Sequence, residues 1–193
     1  MNKQVWIEKA LGLGIQEFEI YQSTTVEKEM TWFQGQMDTL VSSKVTGTSI
    51  RGIVDGKMAN MALEEIDDSM CETVLKSLIE QAHIISNEET DSLRKPEPIE
   101  YVKKDVTWNM ASTEYVKDIL QSLEAKILAY DPRVIQVGYL GYSQGSGSRS
   151  IVNSLGMDVQ DADEMQYIVA SVVVKEEEEV KDASLVEVVY DFE

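Results

Sequence analysis

The apolar positions of the chain change period several times, and each change predicts an element. Near the amino terminus Trp6, Ala10 and Leu13 recur at helical spacing while Gly12 and Gly14 supply a stop, which predicts a helix from about Lys3 to Leu13. The period then drops to two. Phe18 and Ile20 share one strand face, and Val26, Met30 and Trp32 share another. Asp55-Gly56 stands between strand-like runs at 49–54 and 57–62, and an Asp-Gly pair readily takes the positive φ angles of a type I′ hairpin turn. Helical spacing returns over residues 69–86, where Cys71, Val74, Leu75, Leu78 and Ala82 form one stripe. Residues 87–100 are polar and charged and carry Pro96 and Pro98, which remove backbone donors and restrict their predecessors, so the stretch reads as a linker.

In the second half, Ser112 is placed to cap a helix with the stripe Val116, Ile119, Leu120, Leu123 and Ile127, and Asp131-Pro132 closes it. Residues 134–142 and 149–154 predict two strands. Residues 167–174 are almost wholly apolar, the pattern of a strand buried on both faces. A final strand has Val186, Val188, Tyr190 and Phe192 on a core face and Glu187 and Asp191 opposite, with a solvated turn at 176–179 before it. Four adjacent acidic side chains at such a turn do not converge on one ion, so no metal site is read there. The order of elements predicts an α+β fold with antiparallel sheets and helices packed on one face. It also suggests an internal duplication of a helix-plus-strands unit, with sub-lobes of about 1–86 and 101–193 joined by the linker 87–100. The segment 31–38 echoes 151–158 in pattern.

Composition narrows the class. At 193 residues, 43% hydrophobic and 27% charged, the chain suits one sizeable domain or two small lobes of a soluble globular protein. No apolar run approaches the roughly 18 residues that cross a bilayer, and the opening residues lack the apolar stretch of a signal peptide, so the expected location is cytoplasmic, with no membrane partner. Seventeen Lys+Arg against 35 Asp+Glu give a formal charge of −18, which disfavours direct binding to nucleic acid. The one cysteine, Cys71, excludes an intrachain disulfide and any multi-cysteine zinc site; its place on an apolar stripe suits packing better than reactivity.

The candidate chemistry is sparse. Gly141-Tyr142-Ser143-Gln144-Gly145 matches the G-x-S-x-G nucleophile elbow and follows a predicted strand. Against it, residues 145–148 (Gly-Ser-Gly-Ser) are a poor helix start, and the one histidine, His83, lies upstream of the serine where such folds place it downstream. A glycine-serine hairpin loop is the competing reading, and a serine hydrolase using Ser143 stays a minor alternative. Gly145-Ser146-Gly147 lacks the remaining glycine of a dinucleotide fingerprint and the ending of a P-loop. A zinc peptidase motif needs two histidines at helical spacing. The residues therefore assign no catalytic, cofactor-binding or metal position.

The whole pattern resembles the amino-terminal part of the PmbA/TldD family, also called modulators of DNA gyrase. The resemblance rests on Phe18-Glu19-Ile20-Tyr21, on residues 45–57 with Arg51, Gly52, Asp55 and Gly56, on Asp131-Pro132-Arg133-Val134, and on residues 148–156 with Asn153, Ser154 and Gly156. It extends over nearly the whole chain and looks nearer to PmbA than to TldD. It implies a longer, two-domain protein that trims or degrades peptides within an enclosed chamber and acts in pairs. It also implies a histidine-glutamate metal motif, with zinc possible, in the carboxy-terminal half of a TldD-type subunit, a half that this chain does not reach. On that implication the chain is a non-catalytic amino-terminal domain whose partners are a carboxy-terminal domain or a TldD-type subunit, in a homo- or hetero-dimer, with a peptide as substrate. A stand-alone protein- or peptide-binding module is the alternative.

Overall fold

A computed structural model describes residues 1–64, 66–86, 89–98 and 109–192. The elements are α1 (Lys3–Gly12), β1 (Glu17–Phe33), β2 (Gln36–Val54), β3 (Lys57–Leu63), α2 (Cys71–Ile84, entered through a short 3-10 turn at Asp68–Met70), α3 (Thr113–Tyr130), β4 (Val134–Asn153), β5 (Asp158–Glu176) and β6 (Glu179–Val188). The strands form one sheet in the order β3-β2-β1-β4-β5-β6, and the chain has the α+β class that its periodicity predicts. By packing, the chain divides into two compact units. One gathers Met1–Thr24, Val45–Val102 and Gly147–Ala162; the other gathers Thr25–Lys44, Lys103–Ser146 and Asp163–Glu193. These units interleave along the chain, because β1, β2, β4 and β5 each give one stretch to each unit.

The first unit is built on α1, α2 and β3. Asn2 caps α1 by accepting from the Val5 N–H, and the apolar side of the helix buries Trp6, Ile7 and Ala10. These meet Phe18, Ile20, Ile50, Val54, Leu75 and Leu78 in one cluster that also takes in Cys71, whose thiol pKa is pushed up by burial. The predicted turn is present: Asp55 has φ 51°, Gly56 φ 75°, and Val54 faces Lys57 across the β2–β3 hairpin. Over the described residues 89–98 the expected linker has no helix or strand, yet it is bound to the unit. The Asp91 N–H donates to the Gly56 carbonyl at 2.9 Å, the Met58 N–H donates to the Asp91 carboxylate at 3.1 Å, and the Leu93 N–H donates to Glu17 at 2.6 Å. Leu93 is buried. Residues 87–88 and 99–100 of that expected linker lie outside the described residues.

The second unit is built on α3. Ser112 caps it as predicted, accepting from the Tyr115 N–H at 3.2 Å. Val116 and Leu120 bury against Met30, Trp32, Val137, Leu140 and Tyr142. Two buried polar side chains complete this core. Glu124 accepts from the Trp32 indole at 2.8 Å and from the Gly35 N–H at 2.9 Å. Gln166 accepts from the Tyr142 hydroxyl at 2.7 Å and donates to the Asn109 carbonyl at 2.9 Å.

Three strand expectations need correction. The strands expected at 134–142 and 149–154 are one, because β4 lies between β1 and β5 and ladder pairing on both sides overrides the weak strand propensity of glycine and serine. Residues 167–174 are half-buried, not buried on both faces: Ile168 and Ala170 pack on the α3 core, and the residues alternating with them lie on the other face of the sheet. The last strand is 179–188, earlier than expected, and Val186, Val188 and Tyr190 are exposed where a core face was expected; Phe192 alone of that set packs on the α3 core. The segments 31–38 and 151–158 that echo each other are both hairpin tips. Their geometries differ: Gln34 and Gly35 both have positive φ, while the second tip is closed by the Asn153 N–H donating to the Met157 carbonyl at 2.9 Å.

Candidate functional site

Ser143 lies within β4, which continues to Asn153 with no turn and no helix behind the serine. A nucleophile elbow depends on the sharp strand-to-helix turn that lifts the hydroxyl clear of the sheet, and that turn is absent here. Neither the elbow nor the hairpin loop set against it describes the segment. His83 is an exposed residue of α2 in the other packing unit, 3.6 Å from Asp55.

The sequence motifs of the first unit do converge. Glu19, on β1, is buried, and its carboxylate accepts from Arg51 of β2 at 2.7 Å and from the Asn153 amide of β4 at 3.2 Å. The Asn153 amide also donates to the Arg94 carbonyl at 2.9 Å, while its oxygen accepts from the Leu155 and Met157 N–H groups at 3.0 and 2.9 Å. Ser154 and Phe18 exchange two bonds, at 2.9 Å through the serine hydroxyl and 2.8 Å through the backbone. Asn153 thus uses both donors and both acceptor sites of its amide to hold a hairpin tip, the strap at 94 and the Glu19 carboxylate together. Gly156 has φ 93°, a conformation that favours glycine. At Gly52 the reason is space: an added Cβ would lie 2.9 Å from Ile15 and 2.9 Å from Leu78. The chemistry of this cluster is that of a satisfied, charge-assisted clamp, in which the carboxylate is paired and hydrogen-bonded.

Beside the clamp the first unit carries a polar groove of about 560 Å³ lined by Lys3, Gln22, Ser148, Arg149, Ser150 and Gln160 among others. Lys3 donates to the Ser150 hydroxyl at 2.5 Å. Its donors and acceptors suit hydrogen bonding to a polar surface. Local spacing could not reveal it, because its residues come from three distant stretches. Asp131-Pro132-Arg133, the remaining motif, closes α3 in the second unit. There the Arg133 guanidinium holds the Asp131 carboxyl down at about 2, and Arg133 reaches Glu176 of β5 at 3.4 Å. Glu124, Gln166 and Glu17 were missed as structural residues; the one available signal was a glutamate four residues beyond Leu120 on an otherwise apolar stripe.

The stretches that carry these motifs match two family models. Residues 18–86 match domain 1 of the PmbA/TldA metallopeptidases, and residues 107–192 match their central domain. The chain belongs to the PmbA/TldA metallopeptidase family. No curated protein matches it. Among solved structures it is similar to a proposed modulator of DNA gyrase from Bacteroides thetaiotaomicron (TM-score 0.82, 18% identity, 97% of this chain and 44% of that one). It is also similar to TldE from Thermococcus kodakarensis (0.81, 18%, 98% and 43%) and to a proposed modulator of a DNA gyrase from Thermotoga maritima (0.78, 18%, 97% and 42%). At that identity the likeness is one of fold, and this PmbA/TldA chain spans less than half the length of each structure. The family name implies a metal. Among the described residues no group of three His, Cys, Asp or Glu side chains is placed to hold one, Cys71 is in the core and His83 stands alone on its helix. The donor set present does not fit a catalytic metal. Among the described residues no helix is long and apolar enough to cross a membrane.

Proposed function

We propose that this chain is the non-catalytic amino-terminal part, about 1–193, of a PmbA/TldD-type protease that trims or degrades peptides in the cytoplasm. It contributes wall to the peptide chamber and surface for assembly with a carboxy-terminal domain or a TldD-type subunit, which would carry the histidine-glutamate motif and its zinc. The observation that carries this reading is the match of two successive family domains to 18–86 and 107–192 in a chain whose motif residues are spent on each other. The many exposed large apolar side chains of the second unit, Tyr130, Leu185 and Val186 among them, support it, since such residues are common at contact sites. The test is reconstitution. The chain, joined to or mixed with a TldD-type subunit, should raise cleavage of an unfolded peptide, and chelator should abolish that cleavage. A TldD-type subunit that cleaves equally well with and without the chain, and does not co-purify with it, would overturn the reading.

A further inference from the structure

The strand β6 ends the sheet order, with β5 on one side and, among the described residues, no strand on the other. All ten of its residues are exposed, including Val180, Leu185 and Val186. It carries no proline and no bulge to block pairing, and its charges, Glu179, Lys181, Asp182 and Glu187, restrict pairing to a strand that complements them. One bond fixes which groups face outward. The Val189 N–H donates to the Gln166 carbonyl at 3.0 Å, continuing the register in which Val188 faces Tyr167. Bonded and non-bonded pairs alternate along an antiparallel ladder. Odd-numbered residues of β6 therefore bond to β5, and Val180, Asp182, Ser184, Val186 and Val188 turn their N–H and C=O groups outward.

The sequence that fits those groups is β6 itself. When two copies pair about a two-fold axis, outward residues face outward residues, and the axis passes through a residue near the strand centre. With the axis at Ala183, Glu179 would face the partner's Glu187 at both ends, which is unfavourable. With the axis at Leu185, Lys181 would meet no carboxylate. With the axis at Ser184, Lys181 faces the partner's Glu187 at both ends, Val180 faces the partner's Val188, and Ser184 faces the partner's Ser184. We propose that two copies of this chain pair antiparallel through β6 with Ser184 on the two-fold axis, joining their sheets edge to edge. The proposal extends the assembly part of the function above and rests on it only for the need to cover this edge.

An edge pairing of this length buries less than about 1,000 Å², so the dimer is weak and is sought by sedimentation equilibrium up to the highest soluble concentration. Ser184→Pro removes only an outward N–H and should abolish the dimer while leaving the circular dichroism and melting of the monomer unchanged. Lys181→Glu or Glu187→Lys should each weaken it by about tenfold, since each change acts at two symmetric pairs. The double reversal should restore most of the loss, Lys181 also touching Glu179 of its own strand. Ser184→Cys should give a disulfide-linked dimer under oxidation, whereas the natural chain, with Cys71 buried, should not. A chain that stays monomeric at all concentrations overturns the proposal. So does a dimer that survives Ser184→Pro and that Ser184→Cys does not cross-link. Either result leaves the chamber reading to its own reconstitution test.

Discussion

Both packing units satisfy their buried polar groups internally, but they differ in how many large apolar side chains they leave exposed. In the first, the motif residues Glu19, Arg51, Asn153 and Ser154 satisfy one another around a closed apolar cluster, and the strap at 89–98 is tied over the β2–β3 turn. In the second, α3 covers one set of strand positions through Ile168 and Ala170, while Leu185, Val186 and Tyr190 remain exposed. The first unit spends its motif residues on one another and exposes fewer large apolar side chains, Val45 and Ile84 among them. The second has apolar surface to spare, so contact with other domains or subunits is to be sought there.

That contrast can be broken by substitution. The largest effect is expected from Asn153→Leu, which strips four hydrogen bonds from the clamp and leaves buried donors and acceptors unmatched; it should cost about 3–4 kcal/mol in denaturant unfolding. A cost below about 1 kcal/mol would show that the clamp is incidental. Glu124→Ala in the second unit leaves the Trp32 indole and Gly35 N–H without an acceptor, for about 2 kcal/mol, and Glu124→Gln should recover most of it. Gly52→Ala presses a methyl group against Ile15 and Leu78 and should lower stability by about 1–2 kcal/mol, the close contact allowing little relief. Val186→Thr, on the uncovered side of the contrast, should change monomer stability by less than about 0.5 kcal/mol.

Acid sharpens the same comparison. Asp68 is held below the usual carboxylate range by the Asn2 N–H and then by the Trp6 indole, in the first unit, and Asp131 is held at about 2 by Arg133, in the second. Folded pKa values below the unfolded ones contribute stability that is present above the unfolded value and lost as pH falls through the folded one. Unfolding midpoints should therefore be flat from neutral pH down to about 4 and fall between there and about 2. Asp131→Asn should flatten part of that fall. The exposed pairs make the effect small.

Where the sequence could be read, local spacing and turn chemistry decided the outcome. The stripe Cys71-Val74-Leu75-Leu78-Ala82, the Ser112 cap and the Asp55-Gly56 turn each depend on neighbours a few residues away, and all three stand in the structure. What failed depended on distant strands. Gly145-Ser146-Gly147-Ser148 looks like a loop until β1 and β5 flank it, and 167–174 looks doubly buried, whereas its residues on both faces are only half-buried. The family resemblance placed Arg51, Gly52 and Asn153 before any physical role for them could be derived. Their roles, a carboxylate pair, a tight contact and a clamp, needed Glu19, Leu78 and Arg94 brought in from elsewhere in the chain.

The most direct measurement is peptidase activity of the purified chain alone, assayed on an unfolded peptide with and without chelator and after treatment with a serine-directed fluorophosphonate. The account predicts no cleavage and no adduct at Ser143. Cleavage that survives chelator, or labelling of Ser143 that abolishes it, would contradict the assignment of this chain as a non-catalytic part of its family.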